Sequence, residues 1–391
     1  MGNVSDLKQK NLLEIIRVIR NHRLISKPEV ARLSQLTVVS VNNLLGELLQ
    51  KQVVVEEGTA KSNGGRRATL YKFNERFGFV IGQFVSIHSV TTSVFDLNLN
   101  LLYSNRVGQR MDYSQSMTEM LREQVRLAIH SQPMENGACL GIGISLPGQV
   151  DHQSGIVLNL THLRGWRGVP LRKLMQDEFR IPVYVDNDMN CCAVALKIRN
   201  VLKEQDNAVF ITINEGVGTG VISRGSVVYG SHSNVGEIGH VTIDYNGPPC
   251  NCGGRGCIEV MTSDTMILQK ASIAVGGNKG MNEIIREALE GNSEVYRILE
   301  ETGFFITLAL DLIVKAYDPD TIVIQNAWLP HFPEIFHKIV DRVFDRCPWV
   351  KRDVLNIMLN TEERLLEIGP AAIVVENLFS SVEPIRLFAD L

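Results

Sequence analysis

Residues 236–259 read GEIGHVTIDYNGPPCNCGGRGCIE, and no other stretch of the chain gathers so much specific chemistry. His240, Cys250, Cys252 and Cys257 supply one imidazole and three thiols, the ligand set of a closed tetrahedral zinc site. Soft sulfur ligands argue against calcium or magnesium. Gly253, Gly254 and Gly256 let a short loop fold back so that the sulfurs converge, which a run of Cβ-bearing residues would resist. Cys250 and Cys252 stand too near each other to form an unstrained disulfide. The expectation is structural zinc on these four residues.

Glu237 and Glu259 flank the four ligands. Folding around a metal would carry both carboxylates toward one pocket. Carboxylates accept hydrogen bonds from hydroxyls, so a pair fixed in this way suits a polyhydroxylated ligand such as a sugar.

The 391 residues are enough for two or three domains, and 45% hydrophobic with 21% charged residues is ordinary for a globular protein. No stretch has the pattern of a secretory signal or the apolar length to span a bilayer, so a cytoplasmic protein is expected. Seven cysteines, with Cys191 and Cys192 adjacent, fit reduced thiols better than a disulfide framework. The net charge of −4 hides an asymmetry: residues 1–75 carry +5 and the remainder −9. Only the basic head is suited to a polyanion.

Within that head, Leu12, Leu13, Ile15, Ile16 and Ile19 fall at helical spacing. Ser26 reads as an N-cap with Pro28 in the first turn of a short second helix. A third helix is expected from about Thr37 to Lys51, giving a helix-turn-helix. Val41, Leu44, Leu45 and Leu48 would face its core, leaving Ser40, Asn42 and Asn43 to reach base edges of double-stranded operator DNA. Two β-rich runs then flank a Gly-Gly turn carrying Lys61, Arg66 and Arg67, a wing whose arginines would lie along phosphates or in a minor groove.

From Phe77 onward the chain is mixed α/β, with strand-like runs such as FGFVIGQFV, LGIGISLPG and AVFITIN between helical stretches. The segments SLPGQVD (145–151), VDNDMN (185–190), GVGTGVI (216–222), GEIGH (236–240) and CNCGGRGCIE (250–259) occur in the order seen in the ROK family of bacterial sugar kinases and repressors. The chain resembles the winged-helix repressor branch of that family over essentially its whole length. The resemblance implies an α/β body of two actin-like, ribonuclease H-like lobes, structural zinc, and a sugar held between the lobes. It assigns sugar contacts to Asn187, Asp188, Glu237, His240 and Glu259, with Asp188 at the position of the kinases' base. The division it implies is 1–75 for the head, 76–195 with 362–391 for the first lobe, and 196–361 for the second.

Three departures from the family pattern bear on activity. Where the kinases carry an Asp-x-Gly-Gly-Thr phosphate loop, this chain has Phe84, Val85, Ser86, Ile87 and His88. Glu215 replaces a threonine at the second phosphate loop, where its charge would oppose a nucleotide. His162 stands near a Gly-Trp pair usually preceded by asparagine, which bears on which sugar is accepted. The expected protein is therefore not an enzyme but a sugar-controlled transcriptional repressor, acting as a homodimer or dimer of dimers. The alternatives are a sugar kinase with a regulatory head, or a repressor sequestered by a sugar-transporter protein.

Overall fold

The computed structural model describes residues 4–60, 67–108, 114–131, 137–160, 166–202, 206–277 and 279–380. Arg66 and His162 lie outside the described residues. The chain begins with α1 (Val4–His22), β1 (Ile25–Ser26), α2 (Lys27–Ser34), α3 (Val38–Gln50), β2 (Val54–Thr59) and β3 (Thr69–Phe73). Then follow β4 (Gly78–Val85), β5 (Ser89–Asp96), β6 (Leu101–Gly108), α4 (Ser114–His130), β7 (Ala138–Leu146), β8 (Gln149–Asp151), β9 (Ile156–Asn159), α5 (Leu171–Phe179) and β10 (Val183–Asn187). The remainder comprises α6 (Asp188–Ile198), β11 (Ala208–Ile213), β12 (Val217–Ser223), β13 (Ser226–Val227), α7 (Ile258–Thr262), α8 (Asp264–Val275), α9 (Met281–Leu289) and α10 (Ser293–Tyr317). It ends with β14 (Thr321–Gln325), α11 (Pro333–Arg346), β15 (Asn356–Leu359) and α12 (Leu365–Ser380).

The head folds as its caps dictate. The backbone N–H and hydroxyl of Ser26 both donate to the Glu29 carboxylate, at 3.0 and 2.5 Å, and Pro28 occupies the first turn of α2, where a missing N–H leaves no bond unmade. Thr37 caps α3 by accepting the Ser40 N–H at 3.1 Å. Ile15, Ile16 and Ile19 of α1 are buried together with Val30, Val41, Leu45 and Leu48, as the helical spacing predicts. The wing strands β2 and β3 pair antiparallel, and β1 adds to the outer side of β3.

The described chain divides into two compact units: one within 1–146, 154–185 and 370–391, the other within 147–153 and 186–369. The first unit contains the head and a five-stranded sheet ordered β10-β7-β4-β5-β6. In it β4, β5 and β6 form an antiparallel meander, and β7 joins β4 in parallel. Helix α12 lies on this sheet at Gly82 and Gly143. A Cβ on Gly143 would fall 1.7 Å from the Pro370 carbonyl oxygen, so the helix can approach only where side chains are missing.

The second unit repeats the plan. Its sheet is ordered β13-β12-β11-β14-β15, with a β11-β12-β13 meander and β14 and β15 joined in parallel. Helices α8 to α11 supply the apolar cover of β11 and β14, with Ile306, Leu310 and Ile313 of α10 wholly buried. The same strand order used twice is the actin-like pattern the sequence led us to expect. Among the described residues no helix is long and apolar enough to cross a membrane.

Candidate functional site

Helix α6 starts where β10 ends, and its first residues form the polar centre of the second unit. Asn187 is the N-cap, its side-chain oxygen accepting the N–H groups of Met189 and Asn190 at 2.8 and 3.3 Å. Its amide nitrogen donates to the Gly148 carbonyl at 3.0 Å, fixing the side chain from both ends. Asp188 follows as the first helical residue. Burial pushes its carboxyl up to about 7, and the nearby charges of Glu237 and Asp186 act in the same direction. A carboxyl poised in this way can exchange a proton near neutrality or accept a ligand hydroxyl once ionised.

The glycine-rich run GVGTGVI forms β12. Its glycines are used for packing. A Cβ on Gly220 would sit 2.2 Å from the Met189 carbonyl oxygen, and one on Gly218 would sit 2.8 Å from the Met189 side chain. Removing those side chains lets α6 lie directly on the strand. The opposite neighbour of β12 is the turn Glu237–His240, entered through Gly236 at φ +96°. A Cβ there would meet the Thr219 carbonyl oxygen at 2.4 Å, so both the torsion and the approach require glycine. Glu237 is exposed, whereas the half-buried Glu259 accepts the Val217 N–H at 3.2 Å.

His240, Cys250 and Cys252 bring one ligand atom each within 4.8 Å of one another, a group able to hold a metal ion. Cys250 Sγ lies 3.7 Å from His240 Nδ1, and Cys257 Sγ lies 3.7 Å from Cys252 Sγ. The loop closes because Gly256, at φ +54°, passes so near the Asp244 carbonyl that a Cβ would lie 1.7 Å from its oxygen. One imidazole and soft sulfur donors suit zinc. All seven cysteines are free thiols.

Sequence reasoning did not single out Tyr229 or His152. The Tyr229 hydroxyl donates to Asp186 at 2.8 Å, and its ring stacks on the His152 imidazole with centroids 3.4 Å apart. Asp186 also accepts the Asn187 N–H and the Asn190 side-chain amide, at 2.7 and 3.1 Å. These contacts hold the start of α6. No spacing in the sequence could have joined positions so far apart in the chain.

Both regions that would hold a nucleotide in a kinase are altered. Ser86 makes the turn between β4 and β5: its hydroxyl accepts the N–H groups of His88 and Ser89 at 3.3 and 3.0 Å. Those amides are spent inside the hairpin, although a phosphate loop must offer them to its ligand. At the β11–β12 turn, burial and the charge of Glu215 raise the Asp264 carboxyl to about 6. This turn is acidic where a triphosphate would need donors.

In the head, Asn42 and Asn43 are exposed as expected, and Arg67 is exposed at the wing. Two polar groups are already engaged. The Ser40 hydroxyl lies 2.9 Å from that of Thr37, and the Asn42 side-chain oxygen accepts Lys27 Nζ at 2.6 Å.

A capped helix-turn-helix and wing, in a chain whose body uses one five-stranded sheet order twice, define the architecture of a winged-helix regulator. Residues 85–346 match the ROK family, and the chain belongs to that family. It is 26% identical over 379 residues to the xylose repressor of Bacillus spizizenii, covering 96% of this chain and 98% of that one. It is likewise 26% identical over 337 residues to the DNA-binding transcriptional dual regulator NagC of Escherichia coli K12, covering 83% and 82%. The crystal structure of a ROK family transcriptional regulator, a homologue of the E. coli MLC protein, superposes with a TM-score of 0.86. It has 22% identity and covers 99% of this chain and 100% of that one.

Proposed function

We propose that this chain is a transcriptional repressor of sugar-metabolism genes that binds double-stranded operator DNA through α3 and the wing. In this reading Asn187, Asp188, Glu237, His240 and Glu259 form the site for a sugar effector. His240, Cys250, Cys252 and Cys257 hold structural zinc, and kinase activity is absent. The observation that carries the reading is a pairing within one ROK chain. A winged helix exposes its reading face, while the Ser86 hairpin consumes amides that a phosphate loop must supply. The head (1–75), first lobe (76–195 with 362–391) and second lobe (196–361) are the working division. A homodimer, or a dimer of dimers, would place two reading helices on a near-palindromic site.

A sugar can release DNA only if it favours the conformation that misplaces the heads, so control is a difference in affinity between two states. The test uses the full-length protein with duplexes recovered from a randomised pool, titrated with a panel of sugars, with and without ATP. Saturable DNA binding that one sugar shifts, unchanged by ATP, is the expected result. Sugar-dependent ATP consumption would overturn it in favour of a kinase with a regulatory head. DNA binding that no sugar moves would make a protein, such as a sugar transporter, the effector.

A further inference from the structure

The reading helix presents two valines to solvent at its first turn. Val38 is 59% exposed and Val39 72%, while Val41, Leu44, Leu45 and Leu48 of the same helix fill the core. Folding alone gives no reason for β-branched apolar residues at these two positions. They are poorer helix formers than alanine or any long polar residue, and exposure gains them nothing. The polar groups beside them are partly committed: the Ser40 and Thr37 hydroxyls lie 2.9 Å apart, and the Asn42 oxygen holds Lys27 Nζ. Lys27 brings a cation to this part of the helix through its bond to Asn42, and residues 1–75 carry a net charge of +5.

An apolar spot on a basic head, at the end of the helix that would enter the major groove, fits one feature of duplex DNA. That feature is the C5-methyl group of thymine, the single apolar group that a base pair displays in that groove. We infer that Val38 and Val39 are specificity-determining residues that read thymine methyl groups in the operator, supplementing hydrogen bonds from Asn42 and Asn43. The inference rests on the repressor reading, and it adds a base preference that neither asparagine supplies. The cations fix the helix against phosphates and carry no sequence information of their own.

The test begins with a duplex recovered from a randomised pool by the full-length protein. Each thymine of the protected half-site is replaced in turn by deoxyuridine, which keeps the base pair and removes only the methyl group. At one or two thymines the wild-type affinity is expected to fall roughly 3- to 10-fold, the scale of one buried methyl contact. Val39→Ala, or Val38→Ala, should lose a similar factor on the thymine duplex and then show no further loss on the deoxyuridine duplex. Both valines are exposed, so thermal midpoints of the variants should match wild type or rise slightly. Lys27→Ala serves as the contrast: it should weaken thymine and deoxyuridine duplexes equally and flatten the salt dependence. Equal wild-type affinity for both duplexes at every position overturns the inference and leaves the repressor reading standing. Failure to recover any duplex overturns both.

Discussion

The guanidinium of Arg20 lies over the ring of Phe379, 4.5 Å from its centroid, joining the first helix of the head to the last helix of the chain. Arg17 adds two bonds to the same helix end, from Nε to the Phe379 carbonyl at 2.7 Å and from the second guanidinium nitrogen to the Ser380 carbonyl at 3.0 Å. The Phe73 ring meets Phe379 edge-on at 5.4 Å, so the wing strand shares the anchor. Burial lowers the Arg20 pKa to about 10, against the pull of Glu376. A cation desolvated to that degree depends on the ring beneath it.

Phe379→Ala should therefore be the most damaging change at this junction, lowering stability by about 3 kcal/mol through the cavity and the loss of the cation's partner. Arg20→Met keeps much of the packing but removes the charge that draws Glu376, so it should cost about 1–2 kcal/mol, less than Phe379→Ala. Urea unfolding of the two variants checks the order. Limited proteolysis should cut between head and body faster in Phe379→Ala than in wild type. If the two variants proved equally stable, the stacked pair would not be what holds the junction.

Gly220 and Gly46 make opposite predictions from the same substitution. Gly220→Ala drives a Cβ into the Met189 carbonyl and must displace α6, costing about 2 kcal/mol or more and shifting Asp188 out of place. Gly46 is exposed in α3 with nothing within 4 Å, so Gly46→Ala should stabilise by about 1 kcal/mol. Thermal unfolding of both, with sugar binding measured for Gly220→Ala, tests whether the glycine run of β12 serves packing.

Why some of this was legible in the sequence and some was not follows from the range of the forces involved. Caps and helical periodicity act over a few residues, so the Thr37 cap, the buried face of α3 and the wing strands could be read directly. The metal loop was legible because its ligands are close in sequence and chemically distinctive. The repeated sheet order was implied only by the family resemblance, because parallel pairing of β11 with β14 spans more than a hundred residues and leaves no local mark. The use of Gly218 and Gly220 was also hidden: a glycine that admits a phosphate and one that admits a helix look alike in sequence. Tyr229 and His152 escaped for the same reason, their roles resting on contacts made only after folding.

The cysteine loop predicts a metal dependence of stability. Purified protein should carry about one zinc per chain, and a chelator should lower its thermal midpoint by several degrees. A ligand present at a thousandfold excess over its Kd stabilises the state that binds it by about 4 kcal/mol. Cys250→Ser should reproduce the chelated midpoint and make it insensitive to added zinc. Metal analysis beside the melting curve distinguishes this from ordinary damage to a buried residue, since a merely destabilised protein would still respond to zinc.

Asp188 sets the expected pH dependence. Its carboxyl titrates near 7 in the folded chain against an ordinary value of 3.8. Below about pH 4 both folded and unfolded chains hold the proton, and the full contribution to stability is present. As pH rises from about 4 to 7 the unfolded chain ionises while the folded one does not, so stability falls, and the loss is complete above the folded value. Asp188→Asn removes this term. Because the group is partly exposed, solvent screening reduces the effect, and the variant should exceed wild type by about 1–2 kcal/mol at pH 8 while matching it near pH 3. Sugar binding should run the other way: wild-type affinity rises between pH 6 and 8 as the carboxylate becomes an acceptor, and the asparagine variant binds weakly throughout. Urea titrations and sugar titrations across that range measure the two slopes. A stability profile for Asp188→Asn parallel to wild type would show that this carboxyl is not the group that titrates.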